Sequence, residues 1–243
     1  MPKRVALCLF GISVYKYNPD HLHWDGNEYA IHYKHSVSNY KTYIYDYFKQ
    51  HGYDMDVYLC SNVLNAQDKQ ELLDTYHPVR YSFKPNEKDN TTSRNSKVDG
   101  VIDLCLSSNI PYDVVLITRF DLLFQKNFNE SFIDLNKFNM VSVLEQSNLI
   151  CDNFYLFPFN VLPLFSTIVK NNMHRSHHHL QHEINSMRGS HFVNYICNEH
   201  VVVKELTFYK ICRTKNSQDS QDKLWIGLGI LGVGCIVYYV RKK

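Results

Sequence analysis

The sequence predicts an α/β body followed by a membrane-spanning helix at its C-terminal end. Three observations carry that expectation. Apolar runs too continuous for half-exposed strands, at 5–10 and 113–118, alternate with stretches of helical periodicity. Hydrophobic residues make up 44% of the chain and charged ones 21%, a composition that packs a core. Residues 224–240 contain no charge at all, and as a helix they would extend about 25 Å, near the lower limit for crossing a hydrocarbon layer.

The elements follow in order. Residues 5–10 read as a buried first strand; the apolar part is too short for a signal-peptide core and lacks a cleavage site. Residues 12–30, rich in Tyr, His, Asn, Asp and Gly, read as a long loop. Tyr33, Val37, Tyr40, Ile44, Tyr47 and Phe48 recur at spacings of three and four, one face of an amphipathic helix that ends near His51-Gly52. A strand is expected over 55–60 and a helix over 67–76, closed by Pro78. Residues 81–93 read as polar and irregular. Val98, Val101, Ile102, Cys105 and Leu106 mark a further helix, broken at Pro111-Tyr112. Residues 113–118 form the central strand, buried on both faces. Later strands are expected at 140–144, 154–157 and 201–206, and helices over 162–171, 178–187 and 192–197. The alternation implies a mixed sheet with helices on both faces.

Net charge is +2 with both signs interspersed, and no basic stripe appears, so a dedicated nucleic-acid binder is disfavoured. The seven cysteines include no CxxC pair; this suits a reducing compartment and buried free thiols. The domain reading is a body over 1–212, a polar linker over 213–223, a transmembrane helix over 224–240 and a basic tail over 241–243. Trp225, Tyr238 and Tyr239 would sit at the two interfaces, and Arg241, Lys242 and Lys243 stop the span. This is a single-pass, tail-anchored arrangement with the body expected in the cytosol.

The stretch that points to chemistry is 112–124, where a buried strand runs into Arg119 and Asp121 before apolar residues resume. Ligands of open α/β sheets bind beyond the C-terminal strand ends, so this cation and anion either face a site or form a structural pair capping the strand. An Asp there suits a hard metal ion and an Arg suits phosphate, the two usual ways of neutralising a departing diphosphate. Gly11 either lets a ligand approach the backbone or is a turn glycine. Asp152, in Asp152-Asn153, is either a ligand-binding carboxylate or base, or a turn residue. His178 and His182 stand four apart, as in metal-binding pairs, but no third ligand is evident; a solvated helix start rich in histidine is the other reading.

Together, residues 4–11, 33–41, Asn95-Ser96 and 112–124 resemble small GT-A-type glycosyltransferases of large DNA viruses and of microbial polysaccharide pathways. In those enzymes a strand of the form YDVVIxxRxDLxF carries the counterpart of the DxD motif. The resemblance implies a GT-A-like nucleotide-diphospho-sugar transferase fold with a mixed, mainly parallel sheet, a nucleotide-sugar donor, and often a divalent cation, Mn²⁺ or Mg²⁺. It implies donor contacts from Phe10, Gly11, Ser96, Arg119 and Asp121, with Asp121 as the metal ligand. Asp152 and Glu183 become the candidate catalytic bases, and His182 lies on the same acceptor-facing segment. Position 119 is Arg and not Asp, so only one carboxylate of DxD carries over. The acceptor would be a glycan, a lipid-linked molecule or a protein at a membrane surface. Two other readings stand beside this one: a non-catalytic, membrane-tethered interaction protein that keeps the fold, and a metal-dependent phosphoesterase or nuclease using Asp121 with the histidines.

Overall fold

The computed structural model describes residues 2–15, 29–87, 89–144, 149–197, 200–201, 207–212 and 214–215. The chain divides into two compact units, residues 1–15 with 31–212, and residues 16–30 with 213–243. In the second, Thr214 and Lys215 pair antiparallel with Ala30 and Tyr29. The predicted transmembrane helix at 224–240 and the tail at 241–243 lie outside the described residues, as does most of the linker. Among the described residues no helix is long and apolar enough to cross a membrane.

The first unit is built on a seven-stranded sheet. Its strands are β1 (Lys3–Gly11), β2 (Tyr53–Asn62), β3 (Arg80–Lys84), β4 (Val114–Arg119), β5 (Phe138–Met140), β6 (Phe154–Pro158) and β7 (Val193–Tyr195). Their spatial order is β7-β5-β6-β4-β1-β2-β3. β1 pairs parallel with β2 and β4, β2 with β3, and β5 with β7. β6 alone is reversed, pairing antiparallel with β4 and β5. This is the mixed, mainly parallel sheet that the resemblance implies.

Alternation along β1 assigns the two faces. Val5, Leu7 and Leu9 pack under α1 (Lys34–Tyr40), α2 (Asp46–Gln50) and α3 (Ala66–Tyr76), through Tyr40, Ile44, Phe48 and Leu72. Ala6, Cys8 and Phe10 pack on the other side, under α4 (Asn90–Leu106), α5 (Leu162–Asn171) and α6 (Gln181–Arg188). The helix expected from Tyr33 onward is continuous across α1 and α2, with one π-helical turn, Lys41–Tyr45, between them. The six described cysteines are all free, four of them buried.

Some expectations are corrected. Residues 81–93 are not irregular: Arg80–Lys84 is an edge strand and α4 already begins at Asn90. Its alternating Arg80, Ser82 and Lys84 reflect an edge that keeps charge at the rim. Residues 192–197 are not a helix. Phe192 and Ile196 have helical spacing, but Val193–Tyr195 pairs with β5, and that tertiary contact overrides the pattern. The helix placed at 178–187 starts at Gln181, after a 3₁₀ turn at His177–His179. The strand at 140–144 is broken: β5 ends at Met140, and Val143–Leu144 pairs instead with Leu149–Ile150 and His200–Val201. Residues 202–206 lie outside the described residues. The loop placed at 12–30 contains the short strand Val14–Tyr15, and Tyr15 and Val14 pair with Ile31 and His32.

Candidate functional site at the strand ends

Strand order fixes where a ligand can enter. From β1 the chain moves outward to β2 and β3, then crosses back to place β4 on the other side of β1. The crevice beyond the C-terminal ends of β1 and β4 is therefore the topological switch point of the sheet. One rung of the sheet aligns Ser82, Cys60, Phe10 and Arg119 at this edge. β6 runs the other way, so its leading turn, Asp152-Asn153, arrives at the same edge, just beyond the Phe154–Thr118 pair.

Arg119 and Asp121 form a two-pronged ion pair. Arg119 Nε donates to Asp121 Oδ1 at 2.7 Å and Nη2 to Oδ2 at 2.6 Å. Nη1 reaches Asn153 Oδ1 at 3.3 Å. Asp121 is almost fully buried, whereas a fifth of the Arg119 side chain meets solvent. Burial opposes the charge on Arg119, but the Asp121 carboxylate outweighs it and holds the guanidinium above its ordinary pKa. The turn that carries the pair is gripped from below. Tyr40 donates its hydroxyl to the Arg119 carbonyl and accepts from Leu122 N–H at 3.3 Å. Asn39 brackets Phe124, donating to its carbonyl at 2.9 Å and accepting from its N–H at 2.8 Å. Ser36 donates to the Phe120 carbonyl.

A second pair stands beside the first. Arg94, one turn into α4, places Nη2 3.0 Å from Asp152 Oδ2 and also donates to the Asp152 carbonyl. Its guanidinium lies over the Phe10 ring, 5.2 Å from the centroid. On the far side of Asp152, His178 Nε2 lies 3.5 Å from Oδ1. His178 Nδ1 is 2.7 Å from the Ile150 carbonyl, which only accepts, so Nδ1 carries a proton. His177 is buried next to them, with no hydrogen-bond partner for either ring nitrogen among the described residues. Burial, then the charge of Arg94, pushes its pKa down to about 2.

The predicted site residues divide accordingly. Arg119, Asp121 and Asp152 come together at the strand ends. Phe10 is among them but fully buried beneath Arg94. Gly11 has φ +108°, and a Cβ there would meet open space. That backbone conformation favours glycine, and among the described residues nothing fills the space beside it. Ser96 is tied within its own helix, donating to the Ser93 carbonyl and accepting at its carbonyl from Lys84 Nζ at 2.9 Å; no described contact joins it to Arg119 or Asp121. Glu183 stands apart on α6, where Oε1 accepts from Arg175 at 2.7 Å and Oε2 is buried without a partner among the described residues. It is linked indirectly: the Arg175 carbonyl accepts from buried Asn95, the neighbour of Arg94.

The sequence reading gives no site role to Arg94 or Lys97, names Asn153 only as the neighbour of Asp152, and places Ser36, Asn39 and Tyr40 only on the helix over 33–41. Arg94 adjoins the Asn95-Ser96 pair, so adjacency was the only available signal. His178 was noticed, but for a pairing with His182. Among the described residues no group of three His, Cys, Asp or Glu side chains assembles that would hold a metal ion. The Asp121 carboxylate has both oxygens in the Arg119 fork, and Asp152 is flanked by Arg94 and His178. As arranged, these residues do not fit a divalent cation, which needs carboxylate oxygens free to ligate.

No protein-family model matches the chain, and no curated protein matches its sequence. Among solved structures, the chain is similar to a glycosyltransferase involved in the glycosylation of the major capsid of PBCV-1, at 10% identity and TM-score 0.45, covering 93% of this chain and 100% of that one. It is also similar to 4-diphosphocytidyl-2C-methyl-D-erythritol synthase, at 8% identity and TM-score 0.39, with coverage of 93% and 100%. At these scores the site has to be read from its own residues.

Proposed function

We propose that this chain is a glycosyltransferase that moves a sugar from a nucleotide-sugar donor to an acceptor hydroxyl at a membrane surface. One observation supports this reading above the others: two arginine–carboxylate pairs, Arg119–Asp121 and Arg94–Asp152, converge at the switch point of a mainly parallel sheet, beside a glycine with an open face. Arginines fixed by buried carboxylates are rigid donors, and rigid donors stabilise charge as it develops on a leaving diphosphate. In the transfer, the bond from the anomeric carbon to the diphosphate breaks and the nucleoside diphosphate leaves with the electron pair. A bond forms to the acceptor oxygen, whose proton passes to a carboxylate. Asp152 is held by the Arg94 guanidinium on one side and flanked by the His178 ring on the other, and serves to position Arg94. Glu183, whose side chain is 26% exposed, is assigned the proton. Glycan, lipid-linked and protein acceptors are all compatible with this role. The membrane contact belongs to the expected tether at 224–240.

The test is a thermal-shift screen of nucleotide sugars on the full chain in mild detergent, since a ligand that binds only the folded state raises Tm. At least one donor is expected to raise Tm. Arg119→Lys, which keeps the charge and loses the fork, is expected to reduce that shift. Glu183→Gln is expected to keep the shift and lower transfer by about 10²- to 10⁴-fold. If a well-folded sample shows no shift with any donor, the non-catalytic interaction protein replaces this reading. That alternative has one observation in its favour, the closure of both carboxylates at the strand ends by cations of the same chain.

A further inference from the structure

Beside the two arginine pairs, α4 carries a cation that nothing described above uses. Lys97 is 1% exposed, yet among the described residues its ammonium meets only neutral oxygens, the Ser93 carbonyl at 3.1 Å and the Ser93 hydroxyl at 2.9 Å. Burial pulls its pKa down, while Cys60 and the exposed Glu87 pull the other way. Cys60 is the β2 neighbour of Phe10 in the strand-end rung, so Lys97 and Arg94 stand over adjacent strands. Lys84 lies next to them, again bonded only to a neutral oxygen, the Ser96 carbonyl. Four cations, Lys84, Arg94, Lys97 and Arg119, thus share this edge; Asp121 and Asp152 are ion-paired with the two arginines, whereas Glu87 and Asp99 act on Lys97 and Lys84 through space, with no ion pair to either lysine among the described residues. Arg119 uses three of its five N–H groups on described partners, which leaves two for a ligand. A buried ammonium with no counter-ion is costly, and an anion seated beside it would relieve that cost.

We infer that Arg94, Lys97 and Arg119 form a binding site for the diphosphate of a nucleoside diphosphate, and that it works without a divalent cation. The inference rests on the transferase reading and deepens it. The carboxylates that would ligate a cation are instead spent on orienting guanidinium groups, and those groups together with Lys97 supply the positive charge.

The probes are UDP, GDP, CDP and ADP, titrated calorimetrically into the full chain in EDTA and again in Mn²⁺. At least one diphosphate is expected to bind in EDTA, with an affinity within about twofold of that in Mn²⁺. Lys97→Met and Arg94→Gln are each expected to weaken it about tenfold or more, the worth of a hydrogen bond to a charged group. Unliganded melting curves would verify that both variants fold, and Lys97→Met keeps the length and apolar stem of the side chain. Binding that appears only with Mn²⁺ and is lost in Asp121→Asn would overturn the inference and leave the transferase reading standing. Affinity unchanged in both variants would overturn the assignment of Arg94 and Lys97. No binding of any diphosphate under either condition would overturn the transferase reading and this inference with it.

Discussion

At the scale of single residues, the site depends on which charges are matched and which are not. Asp121 is buried and tolerable only because Arg119 grips it with two N–H groups; removing one partner of such a pair typically costs about 3–5 kcal/mol. This is why the conservative Arg119→Lys, and not Ala, is the informative variant. His177 illustrates the opposite case, an imidazole kept neutral by burial. Its folded pKa, about 2, lies below the unfolded value of 6.5. Between those two values the unfolded chain binds a proton that the folded chain refuses, so stability falls as pH falls through that window. Equilibrium denaturation of His177→Leu at a series of pH values between 6 and 3 is expected to show a pH dependence shallower than the parent's by about 1.4 kcal/mol per unit. Parallel curves for the two proteins would show that His177 titrates normally.

At the scale of elements, the site is a product of how helices seat on the sheet. α4 packs tightly on β2 and β3 at Gly100, where an added Cβ would lie 2.8 Å from Cys60 Sγ and 2.9 Å from Lys84 Cε. That approach sets Lys97 and Arg94, on the preceding turns of α4, against the strand ends. Gly100→Ala gains helix propensity of about 1 kcal/mol but overpacks the contact at a cost of about 1–3 kcal/mol. Chemical denaturation is expected to show a net loss of about 1 kcal/mol, removed or reversed when Cys60→Ala makes room. A loss that persists in the Cys60→Ala background would mean that the contact with Cys60 does not limit the approach. The helical segment from α1 to α2 acts from the opposite face, where Ser36, Asn39 and Tyr40 hold the turn that presents Arg119 and Asp121. The edge strand β3, which the sequence did not reveal, brings in Lys84.

At the scale of the whole molecule, the expected tether would confine the reaction to a surface. Arg241, Lys242 and Lys243, following an uncharged stretch, would form the stop of the expected membrane helix. The full chain is expected to float with lipid vesicles in a density gradient and to resist extraction by high salt, whereas a chain lacking 224–243 is expected to remain with the aqueous fraction. Equal flotation of both would move the membrane contact elsewhere, and flotation of neither would remove the surface from the proposed reaction.

The sequence by itself determined the α/β class and the apolar strands at 5–10 and 113–118, because a strand buried on both faces has to be continuously apolar. It also determined that Arg119 and Asp121 sit at a strand end, because charge cannot continue into such a strand unpaired. Only the tertiary structure decided that Asp121 is closed by Arg119, that Asp152 is closed by Arg94 and His178, and that Lys97 makes no ion pair among the described residues. Those partners are separated in sequence by up to 58 residues, between Arg94 and Asp152, and no local pattern encodes a contact made through sheet order. The edge strand β3 and the short strand β7 were also decided there, since each exists because a neighbouring strand offers it a partner.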